Sequence, residues 1–249
     1  SFWRGPGAVT ALDVGQGESI LIRSGGFLTL VDCGGSGYEN AGDTAAGYLG
    51  DFGVRRLDLL VVTHFHNDHA NGAARLLERM EVGLLALPDV DQESPIRQEL
   101  LSMAERTGTE VRFIRSDTTL KLNEERTVRL FAPLGAGETN EEGLSVLVSQ
   151  GDFDTLITGD MGRDVERALL AHTELPQVEV LAVGHHGSRN STGQELLEQI
   201  RPEIALISVG KHNRYGHPDL ETVERLLEAG TEVYRTDLHG TVTVRWNET

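Results

Sequence analysis

Apolar and polar positions alternate in short runs along the first part of the chain, and this pattern predicts β-strands. Three such runs cover residues 8–13, 19–23 and 27–32, and they are separated by Gly-Gln-Gly and Ser-Gly-Gly turns. Runs joined by turns of this kind are typical of an antiparallel meander. The next run, residues 57–63, is apolar at nearly every position, as expected of a strand that is covered on both faces.

Strand and helix patterns alternate in the rest of the chain. Further strands are predicted at residues 82–87, 110–115, 144–150, 153–158, 178–183, 204–209 and 241–246, and helices at 72–80, 94–107, 193–200, 220–228 and from about 163. Pro95 in the first turn and Gly108 after the last turn mark the ends of the helix at 94–107. We predict about twelve strands, and since a sheet usually has roughly five or six, a layered α/β fold with two sheets.

Composition and charge exclude several classes of protein. The chain is 39% hydrophobic and 24% charged, which is typical of a folded globular protein. No apolar run approaches the roughly 20 residues of a membrane-spanning helix, no export signal is visible at the start, and the single Cys33 excludes a framework of internal disulfides. The net charge of −17 excludes a protein that binds nucleic acid over its whole surface. An anionic substrate would need metal ions or a local basic patch.

The clearest chemical signal follows the strand at residues 57–63. Three imidazoles and a carboxylate stand within six residues in His64-Phe65-His66-Asn67-Asp68-His69. Imidazole nitrogen and carboxylate oxygen are the ligands that Zn²⁺ and Mn²⁺ take in proteins. Histidine occupies only 9 of the 249 positions, so a chance polar loop of this composition is improbable. The motif therefore predicts a metal site.

Two other strand ends carry similar side chains. Gly159-Asp160 follows the strand at 153–158, and Gly184-His185-His186-Gly187 follows the strand at 178–183. Taken alone, Asp160 is equally well explained as the cap of the helix that begins near residue 163. Two adjacent histidines between glycines need polar partners that a core does not easily provide, so we expect a chemical role for them.

These motifs together resemble the metallo-β-lactamase superfamily. The segments at residues 13–19, 31–35, 184–188 and 213–218 further resemble the C-terminal domain of ComEC competence proteins, over nearly the whole chain. The resemblance implies an αββα sandwich, with two mixed sheets flanked by helices. It also implies a single domain over residues 1–249, excised from a larger membrane protein and placed outside the cytoplasm.

The resemblance implies two divalent metal ions, Mn²⁺ or Zn²⁺. The ligands that it implies are His64 and His66 on the first ion, Asp68, His69 and His185 on the second, and Asp160 bridging both. A further histidine of most superfamily members is missing here, because no histidine lies between His69 and His172. Asn140 and Ser145 stand in that region, and the sequence leaves open whether either completes the first site. We expect the first ion to be held more weakly and exchanged more readily.

The same resemblance suggests how a phosphodiester would be bound and cleaved. Two divalent ions outweigh Asp68, Asp160 and a bridging hydroxide by about one positive charge, so an anion is attracted locally. Asp68 is expected to orient the attacking hydroxide, and His186 and His217 to donate a proton to the leaving oxygen. Support of a metal ligand is an equally good interpretation of His186. The residues expected to contact substrate are Ser188, Lys211, Asn213 and Arg214.

Other polar residues receive weaker interpretations. Asp13 and Asp32 are expected to orient metal ligands without binding metal themselves, and Cys33 to be a small buried side chain. We expect His172 to face solvent on its helix. The roles of His212 and His239 stay open.

Our leading hypothesis is a metal-dependent nuclease that belongs to a DNA-uptake channel. It would degrade the strand that is not transported during natural transformation, with DNA and the membrane-embedded channel domain of the same protein as partners. A small-molecule phosphodiesterase or esterase of the superfamily is the alternative enzyme. A module that binds DNA without cleaving it is the alternative from another class.

Overall fold

Two seven-stranded sheets form the centre of the protein. The computed structural model describes residues 7–135 and 143–247. The first sheet has the order β14-β1-β2-β3-β4-β5-β6, with β1 (Gly7–Ala11), β2 (Ile20–Ser24), β3 (Phe27–Val31), β4 (Arg56–Val61), β5 (Glu81–Pro88), β6 (Glu110–Ile114) and β14 (Val242–Trp246). The second has the order β13-β12-β11-β10-β9-β8-β7, with β7 (Thr118–Lys121), β8 (Arg126–Phe131), β9 (Ser145–Gln150), β10 (Phe153–Ile157), β11 (Val180–Ala182), β12 (Ile204–Ile207) and β13 (Glu232–Arg235).

Helices cover the outer face of each sheet. They are α1 (Ala41–Asp51), α2 (Asn67–Ala70), α3 (Ala73–Arg79), α4 (Pro95–Thr107), α5 (Arg163–His172), α6 (Gln194–Ile200), α7 (Leu220–Glu228) and α8 (Thr236–His239). None of these helices is long and apolar enough to cross a membrane.

The strand pattern of period two builds the layers. In β2, Ile20 and Ile22 belong to the apolar cluster between the two sheets, whereas Leu21 belongs to the cluster between the first sheet and its helices. A third cluster fills the space between the second sheet and its helices, with Leu169 of α5 and Leu226 of α7. The predicted αββα sandwich is therefore confirmed, and so is the antiparallel meander of β1, β2 and β3.

Parallel strands place the carboxyl ends of several strands at one edge. β3, β4, β5 and β6 run parallel in the first sheet, and β10, β11, β12 and β13 run parallel in the second. Because the carboxyl ends of parallel strands meet at the same edge of a sheet, the loops that follow them are brought together there. The histidine motif follows β4, and the other two motifs follow β10 and β11.

The structure differs from the sequence prediction in its element count. Fourteen strands are present in the described ranges where about twelve were expected. The unpredicted elements are α1, α2, α8, β7, β8 and β13. Helix α1 contains three glycines, which disfavour helix formation, but Gly42 lets it approach α3: a Cβ there would lie 2.2 Å from the Gly72 carbonyl oxygen. Strand β7 is only four residues long and contains no buried residue.

The capping prediction for α4 is confirmed. Ser94 caps the helix by accepting the Arg97 amide at 3.4 Å, Pro95 stands in the first turn, and Gly108 ends the helix with a φ of +71°.

Candidate metal centre

Asp160 is the point at which the three strand-end motifs meet. Its Oδ1 lies 2.9 Å from His69 Nε2, and its Oδ2 lies 3.8 Å from His64 Nε2 and 3.6 Å from His185 Nε2. One atom each of His64, His69 and Asp160 lie within 4.8 Å of one another. The second sheet thus brings a carboxylate into the histidine cluster of the first, while the bridging of two metal ions by Asp160 stays a prediction.

A second group of three possible ligand atoms adjoins the first. It consists of Asp68, His69 and His186, also within 4.8 Å of one another, with His186 Nε2 3.4 Å from Asp68 Oδ2. The sequence prediction had placed His185 in this group. In the structure His186 lies against Asp68, while the His185 side chain, 31% exposed, approaches Asp160 from the cleft.

A buried carboxylate orients His69. Asp32 accepts the Thr63 amide at 2.7 Å and the Thr63 hydroxyl at 2.7 Å, and its Oδ2 lies 2.7 Å from His69 Nδ1. An ionised carboxylate only accepts hydrogen bonds, so His69 Nδ1 carries the proton. In the neutral ring this leaves the Nε2 lone pair facing Asp160. The expectation that Asp32 orients a metal ligand agrees with these contacts.

The tautomers of His64 and His186 follow from the same reasoning. The Thr63 hydroxyl gives its proton to Asp32, so it accepts from His64 Nδ1, 3.1 Å away. His186 Nδ1 lies 2.9 Å from the Ser208 carbonyl oxygen, which also only accepts. In their neutral forms both rings therefore present a lone pair at Nε2, and three buried imidazoles converge on the two central carboxylates.

The unpaired atoms of this cluster fit a divalent metal. His64 Nε2 and His186 Nε2 are buried and have no hydrogen-bond partner among the described residues, and His69 Nε2 and Asp160 Oδ1 face each other at 2.9 Å. Leaving one such atom unsatisfied costs about 1–3 kcal/mol, and facing lone pairs repel unless a positive charge lies near them. Neutral imidazole nitrogen and carboxylate oxygen are a donor set that Zn²⁺, Mn²⁺ and Fe²⁺ accept.

The carboxylates of the site favour a positive charge at its centre. Burial opposes ionisation of Asp160, but the charge of His69 holds the pKa of Asp160 well below its usual range. Burial works against a charged His69 as well, yet Asp160 and Asp32 raise the pKa of His69 well above its ordinary value. Burial lowers the pKa of His64 and raises that of the neighbouring Glu18 to about 7. The carboxylates thus favour a positive charge at His69 Nε2, the place a cation would take.

The turn that carries the paired histidines has an unusual backbone. His185 and His186 have φ angles of +51° and +53°, and such left-handed conformations cost about 1–3 kcal/mol each outside glycine. The turn is tied down by the His185 amide, which donates to the Gly159 carbonyl at 3.0 Å, and by the Ser191 hydroxyl, which donates to the Gly184 carbonyl at 2.7 Å. This backbone turns the two rings to different sides.

An open cleft of about 770 Å³ leads to the cluster. Its wall includes His66, whose ring centroid lies 4.7 Å from that of His64, and also Arg214 and His217. A neighbouring side cleft of about 660 Å³ contains Lys211. The residues that line both clefts are Gln16, Ser36, His212 and Asn213. The two clefts are therefore adjacent.

Asn213 shapes the loop at the cleft. Its Oδ1 accepts the amides of Tyr215 at 3.2 Å and His217 at 3.0 Å, and its Nδ2 donates to the carbonyls of Gly210 at 3.0 Å and His217 at 2.7 Å. These four bonds use the whole hydrogen-bonding capacity of the amide. Asn213 was expected to contact substrate, and this geometry supports a scaffold role instead.

Ser188 and Ser145 are likewise engaged inside the protein. The Ser188 hydroxyl accepts the Asn190 amide at 3.3 Å, and the side chain is only 6% exposed. The Ser145 hydroxyl donates to the Met161 sulfur at 3.7 Å. Asn140, the other residue considered for the first metal, lies outside the described residues. Their roles as ligands of metal or substrate stay predictions.

The remaining sequence predictions concern one cysteine, two histidines and one aspartate. Cys33 is fully buried, as expected, and burial raises the pKa of its thiol. His172 is half exposed and lies 2.9 Å from Asp117. His239 Nδ1 lies 2.9 Å from the carbonyl oxygen of its own helix neighbour Arg235. Asp13 is exposed and lines the side cleft.

Sequence reasoning missed three residues that support the site. Glu18, 2% exposed, places its carboxylate 3.8 Å from His69 Nδ1, and the Ser208 carbonyl and Thr63 hydroxyl set two tautomers. Glu18 lies in a recognised motif, which could have drawn attention to it. A hydroxyl and a backbone carbonyl leave no comparable signal in a sequence.

Comparison with known proteins agrees with this geometry. The chain is 29% identical to ComE operon protein 3 of Bacillus subtilis over 257 residues, covering 96% of this chain and 33% of that protein. It is 33% identical to Recombination protein 2 of Haemophilus influenzae over 242 residues, covering 96% and 29%. The chain thus spans about a third of the length of these relatives.

Solved structures share the fold. Igni18, a metallo hydrolase from Ignicoccus hospitalis, superposes with a TM-score of 0.61 at 15% identity, covering 96% of this chain and all of that one. Zn²⁺-bound PqqB from Methylobacterium extorquens gives a TM-score of 0.60 at 12% identity, covering 93% and 88%. The family model of the metallo-beta-lactamase superfamily matches residues 12–212. The chain accordingly belongs to the metallo-beta-lactamase superfamily.

Proposed function

We propose that this chain is the nuclease domain of a DNA-uptake protein and hydrolyses the phosphodiester bonds of the strand that is not transported during natural transformation. The observation that carries the proposal is the convergence of three buried imidazole rings on Asp68 and Asp160 beneath an open cleft. Membership of the superfamily supports a metal-dependent hydrolase, and the name of a further relative, Competence protein ComA of Neisseria gonorrhoeae, 28% identical over 234 residues, supports a role in competence.

The ligand assignment follows the distances except at His66, which keeps the place that the resemblance implies. We assign His64, His66 and Asp160 to the first ion, and Asp68, His69 and Asp160 to the second. His186 would also hold the second ion, because its Nε2 lies 3.4 Å from Asp68 Oδ2. His185 lies on the cleft side of Asp160, with its Nε2 3.6 Å from Asp160 Oδ2. Divalent ions in such a pair supply Lewis-acid polarisation of a phosphodiester and a water of lowered pKa.

The chain's own groups would position the reactants. The Asp68 side chain is 28% exposed to the cleft, and its pKa is held below the ordinary value because contacts with His186 and His69 outweigh burial. It is therefore an ionised acceptor that can orient an attacking water. Burial lowers the pKa of His217, so its neutral ring would donate one N–H to a substrate oxygen. Arg214 in the same cleft would contact a phosphate.

DNA is favoured over a small ester because a second cleft adjoins the one that leads to the cluster. The two clefts share four lining residues, and a polymer needs room on both sides of the bond that is cut. We propose that the DNA is presented by the membrane-embedded channel domain of the same protein, outside the cytoplasm, and that this segment itself does not enter the membrane.

Substrate trials test the proposal. The protein would be incubated with single-stranded DNA, with bis(p-nitrophenyl) phosphate and with a β-lactam, each in Mn²⁺, Zn²⁺ or a chelator. We expect DNA to be cut with metal and left intact with chelator. Hydrolysis of the chromogenic diester without any DNA cleavage would favour the small-molecule phosphodiesterase. Binding of DNA without turnover would favour the non-catalytic module.

A matched pair of variants shows whether the assigned metal centre catalyses DNA cleavage. Asp160→Asn changes the central carboxylate, and Asp117→Asn makes the same change at an exposed carboxylate that pairs with His172. Equal DNA cleavage by the two variants would contradict the proposal.

A further inference from the structure

Tyr215 presents a bare aromatic face at the cleft. Its side chain is 69% exposed, and it lines the same cleft as Asp68 and Asp160. Its ring lies nearly parallel to that of His217, with centroids 5.9 Å apart and an interplanar angle of 15°. The histidine therefore backs one face of the tyrosine ring and leaves the other to solvent or a ligand.

The loop holds this ring in a defined place. Asn213 accepts the Tyr215 amide and makes three further bonds to the backbone of the same loop. A tyrosine side chain has only two rotatable bonds to the ring, so contact with a ligand costs little conformational entropy. A ring held by its own loop is prepared to stack on a flat group.

A short row of rings connects Tyr215 with the metal centre. The His217 ring centroid lies 5.7 Å from that of His185, and His185 Nε2 lies 3.6 Å from Asp160 Oδ2. Tyr215 is thus separated from the central carboxylate by two histidine rings. A base stacked on Tyr215 would belong to the same strand as a phosphodiester bound at the centre.

Because the chain is acidic, a contact that does not depend on charge would help the clefts to bind a polyanion. The chain carries a net charge of −17, and Asp13 and Glu39 line the side cleft together with Lys211. Phosphate contacts to Lys211 and Arg214 alone would hold a polyanion weakly against this field. Stacking of bases on aromatic rings does not depend on charge and accepts every base.

We propose that Tyr215, backed by His217, is a stacking platform for an unpaired base of the strand whose phosphodiester is cut. The inference rests on the proposed nuclease function and adds the strand preference of the site. A base inside a duplex is already stacked and paired, so it does not offer its face to Tyr215. The site therefore selects single-stranded nucleic acid.

Binding tests the platform without any cleavage. Fluorescence anisotropy in chelator would measure the Kd of the wild type, Tyr215→Ala and Tyr215→Phe for a labelled oligodeoxythymidine and for an abasic strand of the same length. Leu220→Ala is the matched control, since Leu220 is also exposed, at 74%, and lies on α7. We expect Tyr215→Ala to weaken oligodeoxythymidine binding about five- to hundredfold, and Tyr215→Phe and Leu220→Ala to leave the Kd within about twofold.

The abasic strand separates stacking from a structural effect. The platform predicts that Tyr215→Ala binds it as the wild type does, since no base is present to stack. Equal weakening on both strands, or no weakening on either, would overturn the inference.

Cleavage in Mn²⁺ of single-stranded and duplex DNA forms a second arm. We expect the wild type to prefer the single strand and Tyr215→Ala to lose that preference through KM. A wild type that cuts no strand would overturn the proposed function, while the anisotropy result would still decide on the platform.

Discussion

The two sides of the cleft differ in how their side chains are held. The buried wall, which consists of Asp160 and His186 in the cleft lining and of His64 and His69 behind it, is at most 4% exposed, and its three histidines each have one ring nitrogen fixed by a hydrogen bond. The cleft rim, which consists of Lys211, Arg214, Tyr215 and His217, is exposed or half-exposed, and there the backbone is fixed by Asn213. Metal ligands need positions defined to fractions of an ångström, whereas groups that contact a polymer can adapt. The wall is therefore suited to hold cations and the rim to receive substrate.

The largest effect is expected from removing charge at the centre of the wall. Asp160→Asn takes away the carboxylate that contacts three histidines. We expect the rate of DNA hydrolysis to fall about a thousandfold or more, since the metal centre supplies most of the catalysis. Initial rates in Mn²⁺ and metal content by mass spectrometry would measure this. A variant that keeps both its metal and its rate would show that the wall is not the catalytic centre.

Substitution of the paired histidines tests whether His186 of the wall binds metal while His185, nearer the rim, does not. His186→Gln should lose bound metal, because its Nε2 lone pair faces Asp68. His185→Gln should keep the metal content of the wild type and lower kcat by about tenfold, since the ring lies at the cleft side of Asp160. Loss of metal from His185→Gln together with retention of metal in His186→Gln would instead support the ligand assignment made from the sequence.

A smaller effect is expected from the residue behind the wall. Asp32→Asn keeps the shape of the side chain, but its neutral amide is a weaker acceptor for Thr63 and His69. We expect metal affinity to fall about 10- to 100-fold, measured by competition with a chromophoric chelator. Circular dichroism would verify that the variant is folded. An unchanged affinity in the folded variant would mean that the tautomer of His69 is set in another way.

The smallest effects are expected on the rim. Lys211→Ala and Arg214→Ala should each raise KM for DNA a few-fold, leave metal content unchanged and reduce the slope of log affinity against log salt by about 1. Binding titrations at several salt concentrations would measure the slope. Loss of metal from either variant would contradict the account in which the wall binds metal and the rim contacts substrate.

The sequence allows the wall to be predicted better than the rim. The motif at His64–His69, the carboxylate Asp160 and the strand ends that carry them are visible because strand periodicity and metal-ligand chemistry leave a pattern. The choice between His185 and His186 is not visible, because it depends on two left-handed residues in one turn. Helix α1 was missed because its glycines favour other conformations until tertiary packing compensates for them.

Side-chain roles on the rim could not be predicted for a related reason. Asn213 and Ser188 are polar residues in a recognised motif, which suggests contact with substrate. Only the folded loop reveals that the Asn213 amide bonds to its own backbone. Tyr215 had no assigned role because an aromatic residue in a loop indicates nothing until its exposure and its neighbours are known.

Anomalous diffraction from crystals equilibrated with Mn²⁺ tests the central claim most directly. The account predicts two peaks, one beside His64 and Asp160 and the other beside Asp68 and His186, with His69 and Asp160 close to both. Data that place no manganese between these side chains, or place it only at the exposed acidic surface, would contradict it.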